Sequence, residues 1–421
     1  MAKKKTEEIS IDMSNGLNND FFADLIKDTD FKIAETGSLM NSRIKVHTPL
    51  YVLNCIFGGG LPLGIMAEIS GEPGSGKSTF LYQCMGNYQK QYPNGVPVIL
   101  DMEGSMDSAR LHTLGVDTNR VLRLPATSME NAFSSMFKMF NKLEKLYETN
   151  KDISTFMIYD SIGAGGTDKQ AEAAESGENA FGAGTMMSPQ RIVKQNLSTM
   201  LPYMEKLPAF VGFVNQVFTQ INSYGMASVK SGGGFGLKHF TSAHLMFSRP
   251  KDEVNKQGFL LGSNSKLTLQ KCRMSPKLSD IPVYIDATNG GRIDEVRSFY
   301  EYLINIELIK TGSWYKLGDY VKEMIDRYPC LAESRLTEYV DKNIRKDDMI
   351  QLFYDDEDLL KFFEIAVINY IDDTYPGQSE INMGYASQLM TECEFFSEQT
   401  ELKLGVTSVN REDTVIEDHV G

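Results

Sequence analysis

The chain of 421 residues is too long for one ordinary hydrophobic core, and its 42% hydrophobic and 23% charged residues are typical of a soluble globular protein with two or three domains. No apolar run approaches the roughly 18 residues of a membrane span, and no apolar region follows the N-terminal lysines as it does in a secretory signal. The net charge is −14, but residues 319–421 carry −15 and the rest +1, so the charge does not exclude a nucleic-acid partner.

Three regions differ in their patterns along the chain. Residues 1–55 are mixed and polar, with one amphipathic helix predicted in NNDFFADLIKD. Residues 56–294 alternate strand and helix patterns, which indicates βαβ units and a largely parallel sheet. Residues 295–421 are mostly helical in pattern, and their C-terminal part is strongly acidic. We therefore predict an α/β core between a short N-terminal element and a helical acidic C-terminal domain.

Four short apolar runs predict strands in the core, at 64–70, 96–100, 154–160 and 209–216, and AHLMF, SKLTLQ and IPVYID continue the β pattern. A helical pattern follows the first strand. A second, long amphipathic helix is predicted to begin at a capping box made by Thr127 and Glu130.

The first chemical motif is GEPGSGKS, which fits G-x-x-x-x-G-K-[ST] between a strand and a helix, the context of a P-loop. Its glycines let backbone N–H groups point at phosphates, Lys77 reaches the β and γ phosphates, and the Ser78 hydroxyl ligates Mg²⁺. The motif therefore predicts binding of ATP and Mg²⁺. The residues expected to contact the nucleotide are Gly71, Glu72, Pro73, Gly74, Ser75, Gly76, Lys77, Ser78 and Thr79.

Carboxylates follow two other predicted strands. FMIYDS ends an apolar strand at Asp160, the form of a Walker B motif, so Asp160 is the second metal-site residue with Ser78. VILDMEG places Asp101 and Glu103 just past another strand, on the edge where such sheets bind ligands. Hydrolysis needs a group that activates water, and Glu103 is our choice, with Asp101 as the alternative. Glu103 could instead cap a helix.

The stretch FVNQVFTQINSYGMASVKSGGGFG passes from an apolar strand into polar and glycine-rich chain. We expect the strand to end at Asn215 and Gln216 and a long loop to follow. Structureless loops longer than about 12–15 residues inside a compact domain are usually functional or disordered.

In combination, these motifs resemble those of the RecA-type recombinases, and the phage-encoded UvsX-type branch is the most similar. The shared order is a P-loop, D-x-E, an apolar strand ending in Asp-Ser, a strand ending in Asn-Gln, and a glycine loop closing in GGFGLKHFTS. The resemblance covers roughly residues 45–315 and includes DSARLHTLGVD and GSWY. It implies a RecA-type P-loop ATPase core. Residues 1–45 and 316–421 do not convincingly match the family, and residues 1–55 are our candidate for a polymerisation element.

The resemblance assigns further roles in the ATP site. It implies that Glu103 is the catalytic glutamate and that Gln216 senses the γ-phosphate and signals to the loop after it. Lys271 and Arg273, in QKCR, match the two cations that reach a neighbouring subunit's ATP, although a K-x-R on a strand is ordinarily a solvated face. The nucleotide set also includes Asp107 and Arg110; the family often has an aromatic residue on adenine where Arg110 stands, and arginine could stack in its place.

The resemblance also implies two DNA-binding loops, at about 161–188 and 217–237. Phe181 and Ile221 fall where the family inserts apolar side chains between base steps, although Phe181 could equally be a core aromatic of its loop. Glycines allow close approach of the backbone to phosphates, and basic residues add charge. The other residues assigned to DNA are Arg191, Lys194, Lys230, Gly232, Gly233, Gly234 and Lys238.

The function implied is that of a DNA-dependent ATPase that forms filaments on single-stranded DNA and catalyses homologous pairing and strand exchange in recombination, repair and recombination-dependent replication. Its partners would be single-stranded DNA, homologous duplex DNA, further copies of itself, and single-strand-binding and mediator proteins, with no membrane. Five scattered cysteines without a CxxC pair indicate reduced thiols and a cytoplasmic protein, in a bacterial host if the chain is phage-encoded.

Two alternatives belong to other functional classes. A hexameric DNA helicase shares the fold, the P-loop and the trans-acting cations, but usually carries a helical N-terminal domain much larger than 55 residues. A regulatory RecA-fold ATPase would bind protein through its long loops, and hydrolysis that does not depend on DNA would favour it.

Overall fold

A single large β-sheet forms the centre of the fold, and one of its strands leads into the P-loop. The computed structural model describes residues 44–396 except 105, 169, 171–188, 222–226, 232–233, 274 and 376–378. These described residues belong to one compact unit. Among them, no helix combines the length and the apolar character that crossing a membrane requires.

Thirteen strands lie in the described part of the chain. They are β1 (Lys45–Val46), β2 (Leu61–Pro62), β3 (Ile65–Gly71), β4 (Val96–Asp101), β5 (Leu122–Arg123), β6 (Thr155–Asp160), β7 (Ala209–Ile221), β8 (Ala227–Ser231), β9 (Ala243–Phe247), β10 (Lys251–Val254), β11 (Leu260–Cys272), β12 (Ile281–Asp286) and β13 (Arg292–Ile293). Strands β1 and β2 pair with each other, and the remaining strands form the large sheet.

The centre of this sheet is parallel. Its six adjacent strands are β9, β3, β7, β6, β4 and β5, in that order. Beyond β9 the sheet continues antiparallel through β11, β12 and β13, with β10 also paired to β11. The predicted α/β fold with a largely parallel central sheet is confirmed. Because the parallel strands run in the same direction, the carboxyl ends of β3, β4 and β6 lie on one edge, beside the part of β7 from Phe213 to Gln216.

Eleven α-helices lie among the described residues. They are α1 (Tyr51–Phe57), α2 (Lys77–Gln91), α3 (Ser108–Thr113), α4 (Met129–Thr149), α5 (Pro189–Lys206), α6 (Gly234–Phe240), α7 (Glu295–Asn305), α8 (Gly318–Arg327), α9 (Lys346–Asp355), α10 (Glu357–Thr374) and α11 (Ser379–Glu392).

Helices cover both faces of the parallel centre. Side chains alternate along each strand, so Met157 and Tyr159 of β6 belong to the core that α4 and α5 build on one face. Phe156 and Phe210 lie on the opposite face, where the ring of Phe156 is 5.6 Å from that of Tyr88 in α2. Both faces of the parallel centre are therefore buried, which explains why the sequences of these strands are continuous apolar runs.

Three of the C-terminal helices, α7, α10 and α11, pack against α1, near the start of the described chain. The Tyr51 ring of α1 lies 5.3 Å from that of Phe299 in α7, and the Cys55 thiol donates to the Glu364 carbonyl of α10 at 3.5 Å. The predicted helical, acidic C-terminal region is confirmed. The domain boundaries at residues 55 and 294 stay predictions.

The sequence predicts that the strand beginning at residue 209 ends at Gln216, and this prediction is wrong. Strand β7 continues to Ile221, and its residues 217–221 pair antiparallel with β8. Helix α6 then follows from Gly234. Much of the segment expected to be loose is therefore a hairpin and a helix, because pairing satisfies backbone N–H and C=O groups whatever the polarity of the side chains.

Two smaller predictions have different outcomes. The long helix α4 is capped by Ser128, whose hydroxyl accepts the Asn131 N–H at 3.0 Å, so the predicted cap at Thr127 is wrong by one residue. The amphipathic helix predicted in residues 18–28 lies outside the described residues, as do residues 171–188 of the first predicted loop.

One buried carboxyl links α10 to α11. The Tyr385 hydroxyl donates to Glu364 Oε2 at 2.7 Å, and the Glu364 side chain is buried among apolar neighbours. Burial raises the pKa of Glu364 to about 8, although the Tyr385 hydrogen bond opposes the shift. In the folded state this carboxyl therefore holds its proton well above the pH at which an unfolded chain releases it.

We expect Glu364→Gln to flatten the pH dependence of stability. A folded pKa raised above the unfolded value makes the wild type lose stability as pH rises from about 4.5 to 8, by at most about 1.4 kcal/mol per pH unit. Glu364→Gln lacks the titrating proton, so its free energy of unfolding should rise relative to that of wild type as the pH increases. Free energies of unfolding by denaturant at pH 5 and pH 8 measure this, with the exposed Glu323→Gln as control. Parallel pH profiles for wild type and Glu364→Gln would contradict it.

Candidate active site

The P-loop connects β3 to α2 at the edge of the sheet. β3 ends at Gly71 and α2 begins at Lys77. Gly74 and Gly76 have φ angles of 74° and 98°, in the left-handed region that glycine adopts without strain. A Cβ on Gly76 would also lie 2.7 Å from Ile285 Cδ1 of β12. The loop therefore needs glycine at position 76 for its backbone and for the neighbouring strand.

Lys77 is held inside this loop. Its Nζ donates to the Glu72 carbonyl at 2.7 Å, and the side chain is buried. Burial lowers the pKa of Lys77, and the carboxylates of Asp160 and Glu103 oppose that shift. A lysine that is buried among carboxylates and backbone N–H groups is suited to bind a phosphate anion.

Two hydroxyl groups of α2 hold Asp160 at the end of β6. The Tyr82 hydroxyl donates to Asp160 Oδ2 at 3.1 Å, and the nearby Ser78 hydroxyl favours the charged form of the same carboxyl. Asp160 is only 6% exposed, and burial is the main reason that its pKa is raised. The Ser78 and Tyr82 hydroxyls oppose this shift in pKa, whereas the charges of Glu103 and Asp101 add to it.

Ser78 and Asp160 fit a Mg²⁺ site. Their oxygens are hard donors, and both residues border the same cavity at the sheet edge. Among the described residues, no cluster of three or more His, Cys, Asp or Glu side chains could hold a metal by itself. Mg²⁺ is commonly bound by one or two protein groups together with substrate phosphates, so it needs no such cluster.

Glu103 lies beside this pair, and two donors orient it. The Ser161 hydroxyl donates to Glu103 Oε1 at 2.6 Å, and the Gln216 amide donates to the same oxygen at 3.2 Å. The Glu103 side chain is exposed on the cavity side. An exposed carboxylate with a fixed orientation can accept a proton from water.

Asp101, the alternative to Glu103, has a different environment. It is 8% exposed, and it accepts the Met106 N–H at 3.0 Å and the Arg123 guanidinium at 3.3 Å. These contacts hold the turn after β4. The geometry therefore favours Glu103 as the group that faces the reacting atoms.

Arg110 joins the P-loop helix to a turn after β12. Its guanidinium donates to the Thr79 hydroxyl at 3.2 Å, to the Gly291 carbonyl at 2.9 Å and to the Gly290 carbonyl. Burial lowers the pKa of Arg110. Asp107, predicted to contact the nucleotide, also caps α3 by accepting the Ala109 N–H at 3.1 Å.

Two cavities meet at Arg110. One, of about 190 Å³, is bordered by Ser78, Tyr82, Glu103 and Asp160. The other, of about 340 Å³, lies between the P-loop and strands β11 and β12. Together the two cavities extend from the carboxylates of Glu103 and Asp160, past Lys77, to the turn that contains Gly291. Of the residues predicted for the nucleotide and the metal, the walls bring together Gly74, Gly76, Lys77, Ser78, Thr79, Glu103, Asp107, Arg110 and Asp160.

Comparison with known proteins gives the family. A model of the RecA N-terminal domain matches residues 32–290, more than half of the chain. The chain belongs to the RecA family. It is 28% identical to Protein RecA of Ureaplasma parvum serovar 3 over 301 residues, which cover 71% of this chain and 80% of that protein. It is also 28% identical to Protein RecA of Malacoplasma penetrans over 305 residues, covering 69% and 86%.

The two cations that the RecA resemblance places at a subunit boundary have partners within this chain. Lys271 Nζ donates to the carbonyls of Lys238 and Thr241, both at 2.6 Å, and to that of His239 at 3.1 Å. Arg273 donates to the His239 carbonyl at 3.0 Å. Both therefore bind the C-terminal end of α6, where free carbonyls attract positive charge. Their action on a neighbouring RecA-family subunit stays a prediction.

Three predicted DNA-binding cations lie on adjoining helices. Arg191 and Lys194 are exposed on α5, and Lys238 is exposed on α6. A Cβ on Gly236 of α6 would lie 3.1 Å from Lys194 Cα, so the two helices are in close contact. Gly234 begins α6, while Ile221 and Lys230 lie on β7 and β8. Phe181, Gly232 and Gly233 lie outside the described residues.

Several site residues were missed in the sequence. Ser161 adjoins Asp160, and Tyr82 follows Ser78 by one helical turn, so spacing could have indicated both. No sequence pattern indicated the wall of the larger cavity, because β11 and β12 are far from the P-loop in sequence. Its residues outside the predicted set are Leu260, Gly262, Ser263, Ile285, Ala287 and Gly291.

We expect Gly76→Ala to be more damaging than Gly74→Ala. Both substitutions impose a left-handed conformation on alanine, at a cost of about 1–2 kcal/mol. Only the Gly76 Cβ displaces Ile285, whereas nothing lies within 4 Å of a Cβ on Gly74. Denaturant unfolding should show the larger loss for Gly76→Ala, and titration with a fluorescent ATP analogue the weaker binding. Equal losses would show that the contact with Ile285 is unimportant.

Proposed function

We propose that this protein is an ATP-dependent DNA recombinase. It forms a filament on single-stranded DNA, pairs that strand with homologous duplex DNA, and exchanges strands, while ATP hydrolysis drives turnover and dissociation. Membership of the RecA family supports this proposal. The main structural support is the hydrogen bond that connects Glu103 in the ATP site to Gln216, the residue directly before the β7–β8 hairpin.

That connection is direct. The Gln216 amide donates to Glu103 Oε1, and the next residue, Val217, is the first to pair with β8. A γ-phosphate beside Glu103 would compete for the Gln216 amide and shift the end of β7. The hairpin and α6 follow β7, so a change in nucleotide reaches the segment that we assign to DNA.

The chemistry follows from the residues at the sheet edge. Lys77 and the P-loop N–H groups bind the phosphates, and Ser78 and Asp160 hold Mg²⁺ or its water shell. Bound Mg²⁺ neutralises charge on the β and γ phosphates. Glu103, held by Ser161 and Gln216, accepts a proton from the water that attacks the γ-phosphorus.

DNA is expected on the side of α5 and α6. Arg191, Lys194 and Lys238 are exposed there and would neutralise phosphates without reading sequence. Backbone N–H groups of the glycines at 232–234 would add contacts. Assignment to the phage-encoded UvsX-type branch, and partners such as mediator proteins, stay predictions from the sequence.

The first test is the steady-state ATPase rate with and without single-stranded DNA. Single strands should stimulate wild type, and Glu103→Gln should lower kcat by about 100-fold or more, because the amide cannot accept the proton. ATP binding should be retained. Glu205→Gln, an exposed site on α5, is the matched control, and Asp101→Asn tests the alternative residue. An ATPase rate that does not change when DNA is added would instead favour a regulatory ATPase. Strand-exchange and unwinding assays would then distinguish a recombinase from a helicase.

A second test asks whether the cations act between subunits. If they act in trans, Lys271→Ala should lower DNA-stimulated hydrolysis by about 100-fold or more. Mixing equal amounts of Lys271→Ala and Glu103→Gln proteins should restore about a quarter of wild-type activity, because a random head-to-tail assembly joins an intact glutamate to intact cations at about one interface in four.

The mixture also controls for local damage, since Lys271 anchors the end of α6. Loss of α6 within the variant subunit could not be repaired by a neighbour's cations. No recovery in the mixture, with both proteins folded by circular dichroism, would contradict action in trans.

A further inference from the structure

We propose that Tyr82 is a positioning residue for Asp160 and determines how tightly this chain holds the divalent cation that accompanies the nucleotide. The inference rests on the proposed function, in which Ser78 and Asp160 form the metal site. The contact between the Tyr82 hydroxyl and Asp160 Oδ2 carries it.

The helix places Tyr82 for this contact. Tyr82 follows Ser78 by four residues in α2, so the two side chains lie on the same face one turn apart. The Tyr82 hydroxyl is hydrogen-bonded to the carboxyl of Asp160, and the Ser78 hydroxyl lies near the same carboxyl. Ser78 binds at the P-loop end, where its oxygen can also ligate the metal, and Tyr82 binds Oδ2 from one turn further along the helix.

Tyr82 is buried at the wall of the smaller cavity. Its side chain is 8% exposed, and the residue borders the cavity together with Ser78, Glu103 and Asp160. A buried hydroxyl needs a hydrogen-bond partner, and here that partner is the carboxyl assigned to the metal. Burial raises the pKa of the Tyr82 hydroxyl, so Tyr82 is a neutral donor.

The neighbouring charges explain why Asp160 needs a second donor. Glu103 and Asp101 act on Asp160 electrostatically, and their like charges disfavour a third carboxylate at the same edge. The Tyr82 hydrogen bond holds Oδ2 and so restricts rotation of the carboxyl, and Asp160 would then present its other oxygen to the metal or its water shell. Removing a residue that hydrogen-bonds to a metal ligand typically weakens metal binding by about 10–100-fold.

The test compares wild type, Tyr82→Phe and Tyr88→Phe. Phenylalanine keeps the ring and removes only the hydroxyl. Tyr88 is a matched control because it is buried on the same helix and its hydroxyl contacts Ser154 at 2.8 Å, away from the carboxylates. The measurement is binding of a fluorescent ADP analogue, titrated with Mg²⁺ and repeated in EDTA.

We expect Tyr82→Phe to need about 10-fold more Mg²⁺ for half-maximal effect, with nucleotide affinity in EDTA changed by less than about twofold. Tyr88→Phe should resemble wild type in both respects. An unchanged Mg²⁺ requirement in Tyr82→Phe would overturn the inference and leave the proposed function intact. Wild type that binds no nucleotide at any Mg²⁺ concentration would overturn both.

A second measurement covers the case in which Tyr82→Phe loses stability. Binding of Mn²⁺ in the presence of ADP, followed by electron paramagnetic resonance at a temperature where all three proteins are folded, reports the metal directly. Weaker Mn²⁺ binding in Tyr82→Phe alone supports the positioning role. Equal Mn²⁺ affinity in all three proteins rejects it.

Discussion

The register of the parallel strands is the constraint on which the site depends. Gly71 at the end of β3 is the partner of Gln216 in β7, and Asp101 of β4 is the partner of Asp160 in β6. Tyr159 of β6 is in turn the partner of Phe213 in β7, so these four residues lie within about two residues of one level on the same edge of the sheet, although they are far apart in sequence. A slip of one residue would exchange the two buried faces of a strand, so packing against the helices on both sides enforces this register.

The register concentrates negative charge at one edge. Asp101, Glu103 and Asp160 come together there, and a buried carboxylate is costly without partners. Each has a different partner: Arg123 for Asp101, Ser161 and Gln216 for Glu103, and two hydroxyls for Asp160. Lys77 adds the positive charge. The three carboxylates, although of one chemical type, therefore lie in three different environments.

The same sheet connects the ATP site to distant parts of the molecule. Strand β7 continues past Gln216 into a hairpin with β8, and α6 ends at the carbonyls that bind Lys271 and Arg273. A change at the Gln216 amide can therefore move a paired, ordered element. Ordered elements transmit a shift better than a loose loop, because a packed arrangement changes between discrete states.

The sequence by itself determined the α/β class, the parallel centre of the sheet, the P-loop and the Walker B carboxylate, because periodicity and local spacing encode these features. It missed the extent of β7, since strand pairing with residues 227–231 overrides a polar and glycine-rich composition. Only the tertiary structure separated Glu103 from Asp101, added Tyr82 and Ser161, and supplied the cavity wall from β11 and β12. Such contacts join residues that are remote in sequence, so their geometry exists only once the sheet has formed.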